Sequence, residues 1–215
     1  MGEHLLARLL ASGTVSLLAA LAGGGLSFIG RPLGAAYVIM LFLWMATVSA
    51  TRSTGEESSY DRRQRPFYAM LSVIFLLLFF LPPWEYAHLE GPIPRDGLLA
   101  WVGLGLMAIG TWLRTAATIE LRGFYTARLS VSPKQRVVTT GPYRHIRHPG
   151  YLGELLTILG ISLAMGCLSG LLLLLATLIL LIKRMDAEEE MMIRELGREY
   201  LDYMGRTSRL VPRAY

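Results

Sequence analysis

Charge is scarce in this 215-residue chain: 17% of its residues are Asp, Glu, Lys or Arg, against 53% hydrophobic. That balance excludes an ordinary soluble domain, whose charged share is about a quarter, and makes the chain an integral membrane protein. Cysteine is scarcer still. The single Cys167 excludes an intramolecular disulfide and gives no metal site, so its expected role is that of a small residue in a turn. No repeat or low-complexity tract of useful length occurs, which sets aside solenoids and disordered linkers.

What the chain has instead is long apolar runs. About 18 apolar residues cross the hydrocarbon core as a helix, and residues 5–29, 33–51, 67–83 and 97–121 meet or nearly meet that length. Residues 5–29 resemble a signal peptide at first sight, but the apolar run is longer than a signal's, so a retained span is expected. The last run, 151–182, is too long for one span, and Gly166-Cys-Leu-Ser-Gly170 divides it into the two arms of a helical hairpin. The fold class read from this pattern is an all-α, polytopic membrane bundle with a carboxy-terminal helical hairpin. Residues 1–96 form amino-terminal spans with nothing obviously chemical, and 97–215 form the functional core. Residues 51–66, rich in Ser, Arg and Glu, read as a solvated connector.

Basic residues are unevenly spread. With the amino terminus in the cytoplasm, all but three of the 21 Lys and Arg fall on cytoplasmic segments; the exceptions are Arg31, Arg95 and Arg114. The positive-inside tendency therefore puts both termini and both polar regions of the second half on the cytoplasmic side. It also accounts for the net charge of +5 as topology and attraction to anionic membrane lipid, with no nucleic acid among the expected partners. Arg114, inside a span, either faces protein and marks function or snorkels to the interface.

Residues 141–153, Gly-Pro-Tyr-Arg-His-Ile-Arg-His-Pro-Gly-Tyr-Leu-Gly, pack rings, cations and backbone breakers between two apolar spans. Irregular backbone near a bilayer persists only where protein or water covers it, so this loop reads as a ligand pocket at the membrane face. Pro149 also suits the first turn of a following helix, and Tyr143 and Tyr151 also suit interface anchoring. After the hairpin comes a charged helix on which Glu189, Ile193, Leu196, Tyr200 and Tyr203 recur at spacings of 4, 3, 4 and 3, one stripe of its surface. Glu189 thus lies on the apolar face and needs a cationic partner, for which the arginine-rich loop is the natural source. The alternative is that Glu188, Glu189 and Glu190 are solvated near a helix start.

In that order, residues 138–153, an apolar hairpin, Glu188-Glu189, Leu196-Gly-Arg-Glu-Tyr200, Tyr203, Arg206 and Arg209-Leu-Val-Pro212 resemble the isoprenylcysteine carboxyl methyltransferase family. The resemblance covers roughly residues 98–213. It implies a membrane methyltransferase that uses S-adenosylmethionine and releases S-adenosylhomocysteine, with a cytoplasmic cofactor pocket and a tunnel opening to the bilayer. It also implies that Val137, Val138, Gly141, Tyr143, His148, Pro149, Tyr151, Gly153, Glu188, Glu189 and Tyr200 contact the cofactor. The expected location is a bacterial or archaeal inner membrane.

S-adenosylmethionine joins a sulfonium cation, a zwitterionic amino acid end and an adenine, so a site for it needs rings or carboxylates, hydrogen-bond donors and an apolar slot. Loop and helix supply all three. The acceptor is expected to be lipophilic or membrane-partitioned. A carboxylate acceptor, as in a prenylcysteine, is already ionised and needs a cation, Arg147 or Arg206. A thiol or amine acceptor needs a base instead, Glu154 or Glu189. Phospholipid and small-thiol methyltransferases share the loop pattern. So do membrane sterol reductases that use a nicotinamide cofactor, although acids crowding the pocket would repel a dinucleotide's phosphates.

Overall fold

The computed structural model describes residues 2–50, 65–91, 93–95, 97–121 and 136–212, with backbone alone at 2–6 and 49–50. The 51–64 stretch of the expected connector and residues 122–135, where the polar loop begins, lie outside the described residues. The described chain is helical: α1 (Gly2–Ala22), α2 (Leu26–Ile29), α3 (Pro32–Ala50), α4 (Arg65–His88), α5 (Leu98–Leu121), a 3-10 turn (Gly141–Arg144), α6 (Pro149–Met165), α7 (Leu168–Leu196) and α8 (Arg198–Met204). The all-α membrane bundle expected from the sequence is what folds, and α4, α5 and α7 are long and apolar enough to cross a membrane.

Three boundaries differ from the sequence reading. The span expected at 67–83 is α4, which starts at Arg65 inside the expected connector and continues through Pro82 and Pro83 to His88. Residues 5–29 are not one span: α1 ends at Ala22, because Gly24 and Gly25 take positive φ (107° and 65°) and turn the chain into the short α2. The hairpin's second arm and the charged helix are a single 29-residue element, α7, so Glu188–Glu190 sit well inside a helix and not near its start. Gly197, at φ 58°, then breaks the chain before α8, so the stripe ending in Tyr200 and Tyr203 runs over two helices.

The hairpin turn closes on Gly166 in the left-handed region, whose amide bonds to Leu163 O, while the Cys167 amide returns to Ser162 O. Cys167 is fully buried there. From the neighbouring helix, Glu85 accepts the first amides of α7, Leu168 N at 2.8 Å and Ser169 N at 2.9 Å. This carboxylate satisfies donors that the helix cannot satisfy itself. Arg95 holds that end of α4 in turn, donating to Tyr86 O (2.8 Å) and Glu85 O (3.2 Å).

The tightest packing is between α5 and α6, which run antiparallel from the hairpin turn to the polar loop. A methyl added at Gly160 would fall 2.5 Å from Gly103 O and 2.6 Å from Met107 N, and one at Gly153 would fall 2.6 Å from Gly110 O and 2.7 Å from Arg114 N. Small residues let two backbones touch where lipid offers no hydrophobic driving force between helices. On the other side α1 packs on α3 and α4, α3 on α5, and α4 on α7. Phe28 meets the edges of Tyr37 and Tyr86, and Trp44 lies against Phe75 and Phe79.

Candidate active site at the loop face

The polar loop is held by the far end of the chain. Ile146 and Ser208 form a parallel bridge: Arg147 N donates to Ser208 O (2.8 Å), His148 N to Arg209 O (3.1 Å) and Ser208 N to His145 O (3.1 Å). A stretch broken by Pro142 and Pro149 cannot satisfy its own amides, and residues 208–209 do so instead. The amides of Arg147 and His148 are therefore committed to protein.

Glu189 collects three cationic or donating groups. Its Oε1 lies 2.8 Å from Arg147 Nε and 3.0 Å from His148 Nε2, and its Oε2 lies 3.2 Å from Arg209 Nη2. The sequence called for a cationic partner from the loop, and Arg147 is that partner. Arg147 also donates to the carbonyls of Met204 (3.2 Å) and Thr207, so it ties loop, α7 and the tail together. Buried charge is stable only when matched and hydrogen-bonded in this way.

His148 is buried and stacks on Tyr151, with ring centroids 5.4 Å apart. The Tyr151 hydroxyl donates to Glu188 Oε2 (2.7 Å) and accepts from Arg184 Nε (3.4 Å), while Arg184 Nη1 donates to Tyr68 OH (2.9 Å). Arg184 is buried, with its guanidinium 5.3 Å and 5.2 Å from the centroids of the Phe67 and Tyr68 rings. Arg184 and Tyr68 were not foreseen as site residues, and Tyr68 comes from the half of the chain that looked chemically empty. Their only signal in the sequence is an arginine one turn before the acidic run of α7 and an aromatic pair opening α4.

Tyr203 OH donates to Tyr143 O (2.8 Å), which seats the 3-10 turn on α8, and Tyr200 packs buried beside Tyr203. Burial, with the Glu188 and Glu189 carboxylates next, raises the Tyr200 hydroxyl far above its usual range, and burial pushes Tyr203 up to about 12. Arg206 is exposed and donates to Asp202 O (3.1 Å), outside this cluster. Pro149 opens α6 and is buried with Gly153, whose place is the α5 contact.

Beside the cluster is a cavity of about 330 Å³, lined by Glu120 and Leu121 at the end of α5 and by residues 136–140. Val137 and Val138 face it. Glu120 accepts from the Thr140 hydroxyl, and Gly141, at φ 56°, leaves room for that carboxylate: a methyl there would lie 2.9 Å from Glu120 Oε2. Val137 N donates to Glu199 Oε1 at 3.3 Å, bringing α8 to the same place. Apolar side chains, a carboxylate and the Arg136 guanidinium thus meet at one opening.

Comparison with known proteins agrees with the resemblance read from the motifs. Residues 101–194 match the model of the isoprenylcysteine carboxyl methyltransferase family. Methanethiol S-methyltransferase 2 of Bradyrhizobium diazoefficiens is 31% identical over 163 residues, covering 71% of this chain and 61% of that protein. A probable protein-S-isoprenylcysteine O-methyltransferase of Oryza sativa subsp. indica is 31% identical over 108 residues, covering 49% of this chain and 56% of that protein. The chain therefore spans about three fifths of the length of the curated relatives it matches. In architecture it is similar to the eukaryotic intramembrane Ras methyltransferase of that family, with a TM-score of 0.61 over 94% of this chain and 74% of that one; at 18% identity this likeness shows the fold.

Proposed function

We propose, with the match of residues 101–194 to the isoprenylcysteine carboxyl methyltransferase family as premise, that this protein transfers a methyl group from S-adenosylmethionine to a lipophilic or membrane-partitioned acceptor. The observation that carries the reading is the cavity between the end of α5 and residues 136–140, set against a loop that Glu189 and residues 208–209 hold in place. Its size is at the lower end of small-molecule sites.

The donor set there fits the cofactor. Val137 and Val138 offer an apolar slot for adenine, Glu120 an acceptor for ribose hydroxyls or the ammonium, and Arg136 a cation for the carboxylate. S-adenosylmethionine, when bound, supplies an electrophilic methyl on a sulfonium. The protein's part is to position the acceptor and to keep water out. His148 and Tyr151 stand outside the lining of that cavity, where the loop that leads from it enters α6; Glu189 holds His148 and Arg147 there, and Glu188 holds Tyr151. Glu189 serves here as a positioning residue, since both of its oxygens are already engaged. The acceptors within reach of this chemistry are a prenylcysteine-like carboxylate, a lipid amine and a thiol. The site lies on the cytoplasmic face in this reading.

Purified protein in detergent, titrated with S-adenosylhomocysteine and with reduced nicotinamide dinucleotide, is the test. S-adenosylhomocysteine is expected to bind more tightly, with Glu120→Gln and His148→Ala weakening it. Preference for the dinucleotide would overturn the reading in favour of a reductase.

A further inference from the structure

One buried ion pair takes no part in holding the loop. Arg114 of α5 and Glu154 of α6 meet at 3.1 Å, Nε to Oε2, with side chains 13% and 9% exposed. The pairing runs through the Nε side of the guanidinium and is incomplete. Arg114 Nη1 and Glu154 Oε1 are both buried and, among the described residues, have no hydrogen-bond partner. A structural pair in an apolar interface gains nothing over packed aliphatic side chains unless its remaining donors and acceptors are met. Here one N–H group and one carboxylate oxygen are left for something else.

Packing sets the place of the pair. Gly153 touches the Arg114 backbone, so no side chain can come between the two helices there. Along α5, Arg114 is six residues from the cavity-lining Glu120, about 9 Å at 1.5 Å per residue. Along α6, Glu154 is one turn beyond Tyr151, whose ring stacks on His148. The pair thus lies deeper along both helices than the candidate cofactor cavity, within the apolar length of α5.

Its charge discriminates between acceptors. Arg114 and Glu154 together carry none, so a carboxylate approaching Nη1 also meets Oε1, a like charge in a poorly solvated place. Arg147 and Arg209 are engaged by Glu189, and Arg184 is enclosed by the hydroxyls of Tyr68 and Tyr151 and two rings. A thiol is the opposite case. It carries one proton that must leave, since only a few per cent is thiolate at neutral pH.

Resting on the methyl-transfer reading, we infer that Glu154 is the proton acceptor for a thiol substrate and that Arg114 Nη1 holds the sulfur. Glu154 Oε1 takes the proton as the S–H bond breaks. The freed sulfur pair forms the S–CH3 bond while the bond between methyl and sulfonium breaks, its pair staying with the departing neutral thioether. Glu154 then gives the proton to water. Ionisable groups on the elements packed around α6 include Glu120 on α5, Arg65, Tyr68, Glu85, Tyr86 and His88 on α4, and Lys183, Arg184, Asp186, Glu188, Glu189, Glu190, Arg194 and Glu195 on α7, with His148 and Tyr151 at the start of α6 itself; among the described residues Arg114 is the ion-pair partner of Glu154.

The test uses full-length protein in detergent with an alkanethiol and a farnesylated cysteine carboxylate as probe acceptors. Wild type is expected to methylate the thiol in preference. Glu154→Gln is expected to bind S-adenosylhomocysteine within about twofold of wild type, yet its thiol rate should rise about tenfold per pH unit up to the thiol's own pKa, with Glu154→Asp restoring the flatter profile. Difference infrared spectroscopy on adding thiol to the protein with S-adenosylhomocysteine should show a protonated carboxyl band that Glu154→Gln lacks. If that variant does not fold, Arg114→Gln/Glu154→Gln removes both charges and gives the same readouts. An unchanged pH profile, absence of the band, or preference for the carboxylate probe overturns the inference. Failure of wild type to bind S-adenosylhomocysteine overturns the methyl-transfer reading itself.

Discussion

Truncating Glu189 to alanine takes the shared carboxylate from Arg147, His148 and Arg209 at once, leaving Arg147 only the carbonyls of Met204 and Thr207 and Arg209 the exposed Asp186. Arg147 and Glu189 have side chains only 11% and 10% exposed, so water cannot easily take the place of the lost carboxylate. Breaking a buried pair by removing one partner costs about 3–5 kcal/mol. For a chain of this size each kcal/mol lowers the midpoint of thermal unfolding by about 2–4 °C, which puts Glu189→Ala roughly 6–20 °C below wild type in detergent. Glu189→Gln keeps an acceptor oxygen and loses the charge-assisted part, about 1.5–3 kcal/mol, so it should fall between the two. The decisive measurement is a double-mutant cycle with Arg147→Ala. Residues in direct contact couple by about 0.5–3 kcal/mol, so the double variant should be less destabilised than the sum of the singles. A Glu189→Ala midpoint within 2 °C of wild type, or strict additivity with Arg147→Ala, would refute the view that this carboxylate fastens the loop.

Two other outcomes follow from the geometry. Glu85→Ala removes both charge-assisted bonds at the start of α7 and should cost about 2–3 kcal/mol, read as a lower unfolding midpoint that Glu85→Gln only partly recovers. Tyr203 has its hydroxyl raised from 10 to about 12 by burial, so the neutral form is favoured in the folded state. That contribution is fully present below pH 10 and is lost as pH rises through 12; alkaline titration followed by circular dichroism should show a shallower stability loss in this window for Tyr203→Phe.

The spans were legible because lipid imposes length and composition, and the loop because Gly and Pro between apolar runs are unusual. The need of Glu189 for a cation also followed from its place on an apolar stripe. Its second and third partners did not. Arg209 lies 20 residues further on, and it reaches Glu189 only because Gly197 turns the chain and the Ile146–Ser208 bridge pins the tail against the loop. Neither the bridge nor Arg184 with Tyr68 leaves a periodic trace, since each pairs residues dozens of positions apart. Arg114 stood out as a charge in a span, but its match with Glu154 depends on the α5–α6 register. The two pairs of glycines at sevenfold spacing, 103 with 110 and 153 with 160, set that register, and sequence reasoning overlooked them.

The helix α7 is unbroken from Leu168, where Glu85 grips its first amides, to Leu196, just past the carboxylates that fasten the loop. From Leu168 to Glu189 is about 32 Å at 1.5 Å per residue, comparable to the hydrocarbon core of a bilayer. A rod anchored at both extremities has no joint at which to absorb a mismatch in thickness. Stretching or thinning the surrounding lipid is met by tilt, and tilt carries Glu188 and Glu189 sideways against the loop they fasten.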